Sequence, residues 1–180
     1  MDDERLIENV IDQIKEAQIK LGYAKETMRL YYPALSLSRL LNAGIEDDRE
    51  LFKALEHDSA FDHTRLGKLT FALHETRIEV SVMPEGVEYV HRNIEASSFL
   101  VELIRLFQNV HGCSLDEIRR LFEKYDKEYI CDKMPEGMDF DYVLYFKNKK
   151  IDKYYYYIKM EMGHTIYHRF TEADYQMLVQ

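Results

Sequence analysis

The spacing of hydrophobic positions changes character part-way along the chain. Leu6, Ile7, Val10, Ile11, Ile14, Ala17 and Leu21 recur at helical spacing, with acids at the start and Gly22 as a stop. A second helical segment starts at Pro33, where a missing N–H costs nothing in the first turn. It carries Leu35, Leu37, Leu40 and Leu41 and stops at Gly44. A third starts near Asp47 or Asp48 and buries Leu51, Phe52 and Leu55. The pattern predicts that residues 1–65 are helical and acidic.

From residue 66 the apolar positions alternate. Leu69, Phe71 and Leu73 are interleaved with Lys68, Thr70, Ala72 and His74, and Ile78, Val80 and Val82 with Arg77, Glu79 and Ser81. Both runs predict half-buried strands. The tetrapeptide M-P-E-G follows at 83–86 and returns at 134–137. Proline presets φ for the first central position of a type I turn, and glycine after it accepts positive φ. The motif therefore predicts two hairpins, over 77–92 and 128–146, each closed by a three-residue loop with a bulge.

Two helices are expected between the hairpins. One runs over about 95–110, with Phe99, Leu100, Leu103, Ile104 and Phe107 on one face. The other opens with a capping box, Ser114 as cap and Glu117 as its partner, with Cys113 and Ile118 as the hydrophobic staple. A meander follows, with strands over 140–146, 153–160 and 165–170 and the KNKK run as a turn. A closing helix repeats the cap design with Thr171 and Asp174, and Phe170 with Tyr175 as staple. The fold class is α+β: N-terminal helices, antiparallel hairpins and a meander interrupted by a helix pair, and a C-terminal capping helix. It is read as one domain over 1–180, helical over 1–65 and mixed over 66–180.

Composition narrows the function. The 180 residues are 46% hydrophobic, with 14 Tyr and 9 Phe, ample for a core. The net charge of −9 repels phosphate backbones at long range, which disfavours nucleic acid as the partner. The start, MDDERLIENV, has neither a basic segment nor an apolar one, so no secretory leader is expected. No apolar run approaches 18 residues, so no membrane span is expected. Cys113 and Cys131 fit a reducing compartment, and the expected location is cytoplasmic.

The chemistry-bearing residues are sparse. The phosphate-loop, dinucleotide-fingerprint, H-E-x-x-H and G-x-S-x-G frames are missing, and no catalytic residue, cofactor or metal is assigned. His164 and His168 lie four apart in a strand context, a span of roughly 13 Å. They cannot then share a zinc ion whose ligands sit at about 2 Å. His57 and His63 are six apart around a helix and do not converge with Asp58 and Asp62. Cys113, beside His111 at a helix start, is the best nucleophile candidate, although its place in the staple already explains it.

The most unusual stretch is KNKKIDKYYYYIK at 147–159. Strand alternation puts Tyr154 and Tyr156 with Ile158 and Met160 on a core face, and Tyr155 and Tyr157 on the other. The preceding strand divides into Phe140, Tyr142, Leu144 and Phe146 against Asp141, Val143, Tyr145 and Lys147. A second face holding Val143, Tyr145, Tyr155, Tyr157, Tyr167 and Arg169 is expected. Its binding candidates are Tyr145, Tyr155, Tyr157, Tyr167 and Arg169. Three readings compete: helices or cross-strand tyrosine pairs simply fill the face; it is a surface for a protein partner or self-association; or it is a platform for a small molecule or a single-stranded nucleic acid.

The segments IKEAQIKLGYAKETMRLYYP (14–33), PEGVEYVH (84–91) and GHTIYHRFTEADY (163–175) resemble a family of uncharacterised proteins from gut Firmicutes-type bacteria, known as a domain of unknown function. The resemblance covers nearly the whole chain. It implies a bacterial cytosolic protein and brings no activity, cofactor or catalytic residue. The functional expectation is a non-enzymatic interaction or ligand-binding module using the tyrosine face. The alternatives are an enzyme of unfamiliar type with Glu161, His164, His168 and Arg169 in one pocket, and a weak single-stranded nucleic-acid binder acting through 147–159.

Overall fold

The amphipathic run at the start forms α1 (Asp3–Leu21), capped by the Asp2 carboxylate accepting from the Arg5 amide. Leu6, Val10 and Ile14 are fully buried on its inner face. In this computed structural model, residues 1–95, 98–161, 164–172 and 174–175 are described. The chain divides into two compact units, Met1–Ile94 and Glu95–Gln180. Among the described residues, no helix is long and apolar enough to cross a membrane.

The expectation of an all-helical 1–65 is corrected in one place. Residues Met28–Pro33 form a strand, β1, before α2 (Ala34–Leu40) and α3 (Asp48–Glu56). Met28, Leu30 and Tyr32 alternate with Arg29 and Tyr31, a period of two that the neighbouring helical runs obscure. β2 (Leu69–His74) and β3 (Arg77–Val82) are the two expected strands, but they pair with each other as a hairpin in place of the one expected over 77–92, and β1 pairs antiparallel with β3, giving the order β1-β3-β2. Leu30, Val80 and Phe71 lie side by side across the three strands. With β1 paired to β3, the first compact unit runs on through the change of spacing near residue 65 and ends at Ile94.

The first M-P-E-G is not a hairpin turn. Met83 is the N-cap and Pro84 the first residue of α4 (Pro84–Arg92). Proline suits the first helical position as well as a turn, because φ is the same and the lost N–H is one no helix uses. The next residues settle it: Val87 and Val90, three apart, are both buried. α4 packs against α1, where the Gln18 side-chain amide donates to the Val87 carbonyl at 3.0 Å. Gly86 lies inside the helix because a Cβ there would sit 2.3 Å from the Leu66 carbonyl oxygen.

In the second unit, α5 (Phe99–Phe107) and α6 (Leu115–Tyr125) precede a four-stranded antiparallel sheet in sequence order. Its strands are β4 (Tyr129–Lys133), β5 (Tyr142–Phe146), β6 (Tyr155–Glu161) and β7 (His164–Phe170). The capping box at α6 forms as expected: the Ser114 amide donates to Glu117 at 2.8 Å, and the Glu117 amide donates to Ser114 Oγ at 3.3 Å. Cys113 and Ile118 are both buried in the core between helices and sheet.

The second M-P-E-G does lie in a hairpin, between β4 and β5, but differently from the expectation. The i to i+3 bond runs from the Met138 amide to the Pro135 carbonyl at 3.3 Å, so proline opens the turn and Gly137 is its third residue, at φ +90°. The Met134 amide donates to the Asp141 carbonyl at 2.8 Å, so the connection is longer than a three-residue loop. At the far end, Thr171 and Asp174 exchange the reciprocal hydrogen bonds of a cap, and Glu172, Asp174 and Tyr175 are helical. The rest of the predicted closing helix lies outside the described residues.

Candidate functional site

Strand register decides which tyrosines share a face. Val143 is opposite Tyr157 and Tyr145 opposite Tyr155 between β5 and β6. Across to β7, Tyr157 is opposite His168 and Tyr155 opposite Phe170, while Ile158 is opposite Tyr167 and Tyr156 opposite Arg169. The expected five-residue site is therefore split. Tyr145, Tyr155 and Tyr157 share one face, and Tyr167 and Arg169 lie on the other. A one-residue change of register flips a strand's faces, and the faces of β7 follow from its pairing with β6. Periodicity within β7 alone does not fix it.

α5 and α6 pack on the face holding Leu144, Phe146, Tyr156 and Ile158. Tyr167 joins that core, its ring 4.7 Å from Phe107, and the Arg169 guanidinium lies 4.2 Å above the Tyr154 ring. The opposite face is layered with side chains. Phe140 packs on Tyr157 at 5.2 Å rather than with Leu144 and Phe146, because β5 begins only at Tyr142 and the alternation does not reach back to it. Phe170 meets Tyr157 edge-on at 5.3 Å. Tyr175 stacks flat on Tyr155 at 4.1 Å and 13°. Tyr155 and Tyr157 are consequently 5% and 0% exposed, the face being covered by aromatic side chains.

The electrostatics of this layer follow from that cover. The Tyr155 hydroxyl donates to Glu172, and burial together with that carboxylate pushes its pKa far up. Burial, with Tyr175 and Tyr145 nearby, raises Tyr157 to about 12. The Tyr157 hydroxyl is buried and has no hydrogen-bond partner among the described residues. Lys149, from the loop after β5, holds its ammonium 3.8 Å from the Tyr155 ring centre and 4.8 Å from that of Tyr145. Burial lowers its pKa from the usual lysine value.

A separate cleft of about 380 Å³ opens at the other end of the sheet. His111, Cys113, Glu117, Glu161 and His164 line it. It gathers two of the four residues of the enzyme reading. Arg169 is against Tyr154, and His168 is 5.3 Å from Phe140. Within the cleft, Glu117 is engaged in the capping box and Glu161 pairs with Lys159 at 2.8 Å. Burial pushes the Cys113 thiol up, so it stays protonated near neutral pH. Among the described residues, no group of three or more His, Cys, Asp or Glu is placed to hold a metal ion.

One cluster escaped the sequence reading altogether. On the outer face of the β1-β3-β2 sheet, the Glu79 carboxylate, in a residue only 9% exposed, accepts from Ser81 Oγ at 2.7 Å. It also meets His74 Nε2 at 3.0 Å and Arg29 Nε at 3.3 Å, and the Tyr31 hydroxyl bonds to it. The Ser81 hydroxyl first, then Tyr31, His74 and Arg29, hold its pKa below the usual carboxylate value against the opposing effect of burial. Reading M-R-L-Y-Y as a strand would have placed Arg29 and Tyr31 beside Glu79.

A family model described as a domain of unknown function, E. rectale gene description (DUF3877), matches residues 3–179. No curated protein and no solved structure matches the chain.

Proposed function

Because the chain belongs to this family, DUF3877, whose description assigns no activity, we propose from the geometry of the second unit that the protein is a non-enzymatic binding module for a small acidic ligand. The recognition edge consists of Tyr145, Lys149 and the neighbouring lysines of the 147–150 loop, with Tyr155 and Tyr157 as the layer beneath. One observation carries this reading. Lys149 stands over two tyrosine rings, and Lys147 and Lys150 beside it make no ion pair among the described residues. A chain of net charge −9 is here locally basic, next to aromatic surface. Titration calorimetry with pyrophosphate at low ionic strength tests it. Binding that Lys149→Ala and Lys150→Ala weaken together supports the reading, and no heat from the wild type overturns it. Tighter, steeply salt-dependent binding to single-stranded oligonucleotides would favour the nucleic-acid alternative instead.

A second reading, catalysis in the cleft, is supported by the placement of Glu161 and His164 there with His111. The protonated thiol of Cys113 argues against nucleophilic chemistry at that residue. Alkylation of His164 that leaves every measured property of the protein unchanged would count against the cleft.

A further inference from the structure

Building on the binding reading above, we propose that the face of Tyr155 is a slot for a planar aromatic ring bearing an anionic group, and that Tyr175 fills this slot as an internal stand-in. The Tyr155–Tyr175 contact combines a short distance with a flat orientation, whereas His168 and Phe170, also near-parallel at 15°, stand 6.3 Å apart. Phe140 and Phe170 meet Tyr157 at 61° and 84°, as interlocked core rings do. Tyr175 lies flat on Tyr155, at 4.1 Å and 13°. A flat stack asks only for a second planar π-system and carries no requirement for a tyrosine. Tyr145 at 5.9 Å and Tyr157 at 6.4 Å from the Tyr175 ring form the walls.

Two further features point to a ligand with charge. The Tyr157 hydroxyl is wholly buried among these rings and has no partner among the described residues, and a lone buried donor of this kind is uncommon unless something else satisfies it. Lys149 stands at the rim, 3.8 Å from the Tyr155 ring centre. The Thr171–Tyr175 turn also supplies Glu172, which accepts from Tyr155 and, with Asp152, acts on the charge of Lys149. When the turn swings away, the slot loses the Glu172 carboxylate and gains a free Tyr155 hydroxyl. The opened site then presents two hydroxyl donors and an ammonium around an aromatic floor, and its chemistry selects an aryl acid. The turn is held by the Thr171–Asp174 cap, which a single substitution weakens.

The experiment compares wild type, Tyr175→Ala and Thr171→Ala, each checked by circular dichroism, with three probes: phenyl phosphate, inorganic phosphate and phenol. Tyr175→Ala is expected to bind phenyl phosphate about tenfold more tightly than wild type, and inorganic phosphate equally. Thr171→Ala keeps every ring and loosens only the cap, and is expected to show the same preference to a smaller degree, which covers the case in which Tyr175→Ala does not fold. Adding Tyr157→Phe to Tyr175→Ala is expected to take back part of the gain. Equal phenyl phosphate affinity in all three proteins overturns the slot. If that result comes with lysine-dependent phosphate binding by the wild type, the slot fails and the acidic-ligand function stands. A gain for phenol without one for phenyl phosphate overturns the requirement for an anion.

Discussion

The backbone of Gly86 rests against the carbonyl of Leu66 so closely that a Cβ on the glycine would sit 2.3 Å from the oxygen and 2.8 Å from a Val82 methyl. An alanine inside a helix is normally better than a glycine by up to about 1 kcal/mol. Here the contact reverses the sign, because the obstructing atom is main chain and cannot rotate away. Gly86→Ala is expected to destabilise by about 2–3 kcal/mol. Urea unfolding followed by helix signal measures it, and a neutral or stabilising result would refute the close packing of α4 on this loop.

Adjacent tyrosines in β6 give a matched pair. Tyr156 and Tyr157 are both fully buried, but Tyr156 donates to Asp152 at 3.0 Å while the Tyr157 hydroxyl has no partner among the described residues. Tyr156→Phe removes one of the hydrogen bonds to Asp152, which also accepts from the Tyr154 amide at 2.8 Å, and is expected to cost about 1 kcal/mol. Tyr157→Phe removes an unsatisfied group and is expected to be neutral, within about 0.5 kcal/mol, or stabilising. Equal losses in the two variants would show that the hydroxyl of Tyr157 is bonded in solution.

Glu79 gives a pH dependence. Its folded-state pKa is depressed, chiefly by the Ser81 hydroxyl, so the unfolded chain takes up the proton first as pH falls. The stability it contributes is complete above the unfolded carboxylate value of about 4.3 and drains away as pH falls from there through the lower folded value. Melting temperatures measured from pH 7 to pH 3 are expected to fall more steeply for wild type than for Glu79→Gln. Parallel curves would mean that Glu79 is not held as described.

The two thiols are expected to differ in the native protein. Cys113 is 8% exposed and its thiol is held protonated by burial. Cys131 is half-buried, with the Arg119 Nε–H donating to its sulfur at 3.4 Å. Iodoacetamide should label Cys131 first, by about tenfold or more in rate, the thiolate being the reactive form. Mass spectrometry after a short pulse reads the ratio.

Elements with one dominant periodicity were legible in the sequence. α1, α3, the strands β2 and β3 and the Ser114–Glu117 capping box stand where spacing and cap chemistry put them. What escaped had ambiguous local chemistry. Pro84 serves a helix start and a turn equally well, and Val87 with Val90 had to be weighed over the proline to choose. β1 is six residues between helical runs, and its partner β3 lies some 50 residues further on, beyond the reach of any local pattern. In the candidate site, the face of each tyrosine within β6 was legible, because alternation fixes it. The face of Tyr167 and Arg169 was not, because it depends on how β7 registers against β6. The Glu79 cluster needed three strands to be placed before it existed at all.

The order β1-β3-β2 also has a kinetic side. β2 and β3 can close as a hairpin in microseconds, since only Glu75 and Thr76 separate them. β1 must wait until Val82 is available to pair with Met28, and holding those ends together carries the entropy of a loop that includes α2, α3 and the whole hairpin. On the ribosome, the N-terminal helices emerge well before the strand that gives their sheet its middle. The second unit pairs each strand with the next one made, β4 through β7, and has no such delay once its helices are out. The slow step in making this protein is thus expected to belong to its first half, and a chain cut before residue 77 would leave β1 as an unpaired edge open to association with other chains.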